Sequence, residues 1–192
     1  MKVIIIEGPD NTGKNTLINH VLDNNEIVKI IHCSKPKQLD NVLYHQFISF
    51  KKLAEEAIKD YSLNSDEVLI YNRYHIGEYV YGQLYRDENP EQILEVIHLI
   101  EDTILNAIPQ DNISYIQLLS RSAKLLQNND DNKSLSNARL DLIEKENQLF
   151  KEAFEKSKFK NKHIIYIDKE NTDTFKTREQ IIDEFDIFTK ND

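Results

Sequence analysis

A chain of 192 residues, 40% hydrophobic and 30% charged, has the length and composition of a single α/β domain over residues 1–192, and no apolar run approaches the roughly 20 residues that span a bilayer. Its formal charge of −9 opposes long-range attraction to a polyanion, which disfavours duplex nucleic acid and leaves small phosphate ligands held by a local basic cleft. The single cysteine, Cys33, cannot close an intramolecular disulfide and has no metal-ligand spacing around it, so a reducing cytoplasmic compartment is expected and Cys33 reads as a buried small residue.

Strand-length apolar runs recur in chain order: KVIIIE from Lys2, IVKIIHC from Ile27, EVLIYN from Glu67, ISYIQLL from Ile113 and HIIYID from His163. The first meets a Gly-Pro turn after a few residues, which marks a buried strand rather than a signal peptide. Between the runs, helical periodicity covers residues 14–22, 42–61, 76–85, 90–107, 135–156 and 174–188. Strands joined by helical crossovers predict a three-layer α/β/α fold around a five-stranded parallel sheet. Such sheets bind ligands beyond the carboxyl ends of their strands, here from Gly8, Ser34, Asn72 and Ser120 onward. The polar stretch LQNNDDNKSLSN, residues 126–137, is expected to be a mobile loop. It is either a lid or a plain surface connection.

The segment GPDNTGK, Gly8 to Lys14, follows the first strand and opens the first helix. That is the context in which a Gly-x4-Gly-Lys loop cradles phosphate. Backbone N–H groups from Asp10 through Asn11, Thr12, Gly13, Lys14, Asn15 and Thr16 would surround the phosphate oxygens, the helix dipole would add positive potential, and Lys14 would reach the outer phosphates. A hydroxyl normally follows the lysine and joins the Mg²⁺ shell, but here that position is Asn15. An amide oxygen can also ligate Mg²⁺, though as a neutral donor. The third strand repeats the theme: after Val68-Leu69-Ile70-Tyr71, the position of a metal-supporting carboxylate is Asn72. Arg73 follows it, a planar cation suited to a bidentate grip on phosphate.

With these residues in view, the chain resembles the thymidylate kinase family, or close deoxynucleoside monophosphate kinases. EGPDNTGKNT is similar to that family's phosphate loop, and NRYHIGEYVYG to its segment after the third strand. The resemblance implies a P-loop fold with a mobile lid, ATP as phosphate donor, Mg²⁺ as cofactor and a homodimer. It also implies that Asp10 approaches the sugar 3'-hydroxyl of the acceptor while Arg73 holds its 5'-phosphate, so Lys14, Arg73 and Asp10 form the expected catalytic set. The family's catalytic arginine has no counterpart at Asn11, which leaves Arg121, Lys133 and Arg139 as candidates for the lid cation.

The acceptor is expected near Tyr74, Glu78 and Tyr81. On a helix Tyr74, Tyr81 and Tyr85 fall on one side and Tyr79 elsewhere, and aromatic residues at that spacing are more often core than ligand-facing. Glu78 and Arg86 share a face, either as a surface pair or lining the acceptor. Gly77 and Gly82 are costly inside a helix and suggest close approach of a ligand or of neighbouring backbone. His75 reads as a polar packing residue, and Lys35 and Lys37 either close over the acceptor or are solvated. The leading expectation is transfer of the ATP γ-phosphate to a deoxynucleoside 5'-monophosphate, dTMP or a related pyrimidine. The alternatives are a catalytically weakened or non-catalytic nucleotide-binding protein derived from such a kinase, and a deoxynucleoside kinase. A polynucleotide 5'-kinase is disfavoured because no basic, aromatic-interleaved stripe is present.

Overall fold

The computed structural model describes residues 1–33, 41–63, 66–128, 134–170, 172 and 174–190. Five strands, β1 (Lys2–Glu7), β2 (Val28–His32), β3 (Val68–Asn72), β4 (Ile113–Leu119) and β5 (Lys162–Tyr166), form one parallel sheet in the order β2-β3-β1-β4-β5. Among the described residues seven α-helices accompany them: α1 (Lys14–Asn24), α2 (Val42–Leu63), α3 (Gly77–Arg86), α4 (Pro90–Leu105), α5 (Ala123–Asn128), α6 (Leu140–Lys156) and α7 (Arg178–Lys190). The expected three-layer architecture is therefore present.

Side-chain alternation along the strands divides the core in two. Val3, Ile5, Leu69, Tyr71, Ile113 and Tyr115 pack with Phe50 and Ala54 of α2 and Ile97 and Ile100 of α4. Ile4, Ile6, Ile70, Ile116, Leu118 and Ile165 face the opposite way, against Leu17 and Val21 of α1, Phe185 of α7 and Ile143 of α6. Because both faces are covered, the central strands are largely apolar, and truncating a fully buried residue such as Ile5 to alanine would cost about 2–5 kcal/mol. The register sets Ile6 and His32 beside Asn72, and Glu7 beside Gln117. The polar ends of β1, β2 and β3 thus share one edge of the sheet.

Two expectations change. Residues 126–128 are the end of α5 rather than loop, because Leu125 and Leu126 are buried and Leu126 packs in the same cluster as Ile143. The next long helix starts at Leu140 rather than at residue 135, since Asn137 and Ala138 take positive φ of 48° and 58° and cannot continue a right-handed helix. Ser134 and Ser136 are buried with their Oγ atoms 3.1 Å apart. The remainder of the polar stretch, residues 129–133, lies outside the described residues. Among the described residues no helix is long and apolar enough to cross a membrane.

Candidate active site

The loop between β1 and α1 has the geometry its sequence demands. Gly8 has φ of 142°, and a Cβ there would lie 2.3 Å from the Leu118 carbonyl oxygen, so only glycine fits. Asn11 and Gly13 are left-handed at 63° and 83°, winding the chain into the first turn of α1. That helix has no side-chain N-cap and no acidic residue in its first turn. Its leading N–H groups are the kind an anion satisfies.

Lys14 is 6% exposed and folds back into this loop. Its Nζ donates to the carbonyls of Gly8 at 2.8 Å and Pro9 at 2.5 Å, with Thr12 Oγ1 at 3.4 Å. Thr12 Oγ1 in turn donates to Pro9 O at 2.9 Å. Burial pushes the Lys14 ammonium down to about 7, and Arg73 adds to the effect, against the attraction of Asp10, Glu7 and Glu146. An entering phosphate would restore its charge.

The second half of the site is built by the end of β3. Arg73 has φ of 61°, an unusual conformation for a long side chain, held by its N–H donating to Ile6 O at 3.0 Å. The sharp turn brings its guanidinium into an ion pair with Asp10, 63 residues away in sequence. Beside it, Asn72 Nδ2 lies 3.3 Å from Asn15 Oδ1 and 2.8 Å from His32 Nδ1, while Asn72 Oδ1 is buried with no hydrogen-bond partner. The orphaned amide oxygen of Asn72 is the kind of neutral donor a hard cation or its bound water satisfies, and Asn15 Oδ1, which accepts from the same amide, is a second such donor in the neighbourhood.

Arg73, Tyr74, Glu78 and Tyr81 come together around one small cleft, completed by Gln46, Phe50 and Arg86 among others. Tyr74 precedes α3 rather than lying on it. Its ring stacks on Tyr71 at 4.3 Å and meets Phe50 edge-on at 5.3 Å, and its hydroxyl donates to Phe50 O at 2.7 Å, so it is core that borders the cleft. Glu78 pairs with Arg86, which also holds Glu88 at 3.1 Å. Burial pushes the Glu78 carboxyl up to about 7 although Arg86 opposes it. Tyr81 Oη and Arg86 Nε are buried without partners.

The glycines separate. A Cβ on Gly82 would meet Glu88 Oε2 at 2.5 Å and Ile93 Cδ1 at 2.7 Å, so that residue serves the packing of α3 on α4. A Cβ on Gly77 would make only ordinary contacts at 3.5–3.6 Å. Tyr79 is buried and its hydroxyl accepts from Lys156 at 2.5 Å. His75 is fully buried, its Nε2 3.3 Å from Glu101 Oε1.

Two carboxylates stand at the site without having been singled out in the sequence. Glu7, 1% exposed, accepts the Tyr74 N–H at 2.6 Å, and burial pushes its carboxyl up. It locks the turn that carries Arg73, and its signal is a charge ending an apolar strand directly before Gly8. Glu146 accepts the Tyr85 hydroxyl at 2.5 Å and shares a crevice with Pro9, Asp10 and Asn11. Burial pushes it up to about 7. Its signal is position, since Ile143, Glu146, Phe150 and Ala153 are the buried face of α6.

The lid candidates fall elsewhere. Arg121 donates from its backbone to the Asp168 carboxylate at 2.9 and 3.1 Å and from its guanidinium to Asp168 O at 3.1 Å, and it lies 3.7 Å over the Tyr166 ring. Arg139 pairs with Asp141 at 2.7 Å at the start of α6. Lys133, like Lys35 and Lys37, lies outside the described residues.

The fold recurs in solved structures. The YorR protein from Bacillus subtilis, solved in complex with phosphorylated GDP, superposes with a TM-score of 0.66 at 18% identity, covering 98% of this chain and 96% of its own. The two chains share a fold. Thymidylate kinase from Candida albicans gives 0.63 at 16% identity, with 99% and 92% covered. Polyphosphate kinase 2 from Arthrobacter aurescens TC1 gives 0.63 at 13%, with 97% of this chain and 65% of that one covered. No protein-family model matches the chain, and no curated protein sequence matches it.

Proposed function

We propose that this chain is an ATP-dependent nucleoside monophosphate kinase that phosphorylates a deoxynucleoside 5'-monophosphate, dTMP or a related pyrimidine. The observation that carries the reading is the Asp10–Arg73 pair, which joins a phosphate loop to an aromatic-walled cleft. Loop N–H groups and Lys14 hold the donor phosphates. Arg73 grips the acceptor phosphate and Asp10 meets the sugar 3'-hydroxyl. An acceptor phosphate oxygen then attacks the γ-phosphorus in line as the bond to the β-phosphate oxygen breaks. Asn15 and Asn72 would hold magnesium, which supplies positive charge to the transferring phosphoryl oxygens. A cation from Arg121, Lys133 or Arg139 is the remaining candidate for the charge on the same oxygens.

A second reading, a nucleotide-binding protein without turnover, is favoured by one observation: both metal-supporting positions are neutral amides. Titration of ATP and dTMP with and without Mg²⁺, run beside a coupled ADP-release assay, separates the two. Release of ADP that requires the monophosphate supports the kinase. Binding of both nucleotides with no release supports the second reading.

A further inference from the structure

Asn72 and His32 are partners in register at the ends of β3 and β2, and their side chains meet next to Asn15. An amide has one end that accepts and one that donates, so an asparagine that serves a cation must be held the right way round. An aspartate, with two equivalent oxygens, does not face that demand. Here the nitrogen end is fully used: Nδ2 has two protons and two acceptors, His32 Nδ1 at 2.8 Å and Asn15 Oδ1 at 3.3 Å. The oxygen end, buried with no partner, is the one left over. Turning the amide over would set its oxygen against the lone pairs of His32 and Asn15 and take both N–H groups away from their acceptors. His32 Nδ1 accepts only when the ring proton is on Nε2, and the residue is exposed, so water can serve that N–H. Of the two acceptors His32 makes the shorter contact, from a strand whose register fixes its place, whereas Asn15 is itself an amide that can present either end.

On the reading of Asn72 as a neutral magnesium donor, we infer that His32 is a positioning residue: its Nδ1 lone pair fixes the Asn72 amide with Oδ1, not Nδ2, left for the cation or its bound water. The role exists because position 72 is an amide, and it disappears where that position is a carboxylate, which accepts at both ends. His32 acts through Asn72, so its removal changes metal-dependent binding and leaves phosphate binding by the loop in place.

The test is isothermal titration of ATP into the full chain, with no monophosphate present, in Mg²⁺ and in EDTA. The ratio of the two affinities is the gain that the metal supplies. His32→Phe keeps a ring and removes the acceptor, and is expected to cut the gain about fivefold while ATP affinity in EDTA and the melting temperature stay near wild type. His32→Asn can place an oxygen where Nδ1 stood, and is expected to keep the gain within about twofold of wild type. In the Asn72→Asp background, His32→Phe is expected to leave the gain unchanged or to raise it, so the two substitutions are not additive. If His32→Phe does not fold, His32→Leu is read the same way. A wild-type gain in His32→Phe, with the gain lost in Asn72→Ala, overturns the inference and leaves Asn72 as a donor. A loss that recurs in the Asn72→Asp background, or that His32→Asn shares, overturns action through the amide. No gain in the wild type, or none lost in Asn72→Ala, overturns the reading of Asn72 as a metal donor, and the inference with it.

Discussion

Asp10 and Arg73 pair across the junction between the phosphate loop and the turn after β3. The contact couples two motifs that are distant in sequence, and each partner has a charge that a nucleotide would otherwise engage. Arg73→Lys keeps the charge but loses the planar fork. It is expected to lower kcat/KM for the monophosphate by about 100-fold while changing ATP affinity less than about threefold. Steady-state kinetics with each substrate varied in turn checks this. Equal loss for both substrates would place Arg73 outside the acceptor site.

Lys14 is expected to limit stability in the ligand-free protein. Its folded pKa is about 7, below the ordinary lysine value of 10.5, so between those limits the unfolded chain binds more protons. Stability contributed at this site therefore rises with pH through that window, and the penalty is full below about pH 7. Lys14→Met is expected to stabilise by at least about 1 kcal/mol at pH 6.5, with the gain shrinking towards pH 9.5, and to abolish turnover. Urea unfolding of both proteins at the two pH values measures it.

Asn72 donates from Nδ2 to Asn15 and keeps an unpartnered amide oxygen. Replacing that neutral donor by a charged one in Asn72→Asp, together with Asn15→Thr, is expected to lower the Mg²⁺ concentration for half-maximal turnover by about tenfold. A Mg²⁺ titration of the ADP-release rate shows it. An unchanged or higher requirement would mean that the two amides already serve the metal well.

The four glycines are not equivalent. Gly8→Ala forces a Cβ onto the Leu118 carbonyl and holds alanine at φ of 142°, so a loss of about 3 kcal/mol is expected. Gly77→Ala meets only ordinary contacts and is expected to change stability by less than about 0.5 kcal/mol. Denaturant midpoints of the two variants give the comparison.

All five strands were legible because parallel strands are short runs rich in Ile, Val and Leu, and the phosphate loop was legible because Gly8, Gly13 and Lys14 follow such a run. What escaped depended on long-range contact. Ala123–Asn128 is too short to show a helical period, and only burial of Leu125 and Leu126 makes it a helix. Tyr74 shares helical spacing with Tyr81 and Tyr85, yet the left-handed Arg73 and the bond from Tyr74 N–H to Glu7 hold it in a turn before α3. Glu7 opens the EGPDNTGKNT segment without a role assigned to it there, and Glu146 belongs to no local motif. Their significance comes from burial next to a loop that other segments build.

The central claim is phosphoryl transfer to a monophosphate. Incubating the chain with γ-labelled ATP, Mg²⁺ and a panel of deoxynucleoside 5'-monophosphates, then separating the products, tests it most directly. The account predicts label in a deoxynucleoside diphosphate, formed only when the matching monophosphate is present and lost in Arg73→Ala. Label that stays in ATP, or appears only as free phosphate, for every member of the panel would contradict it.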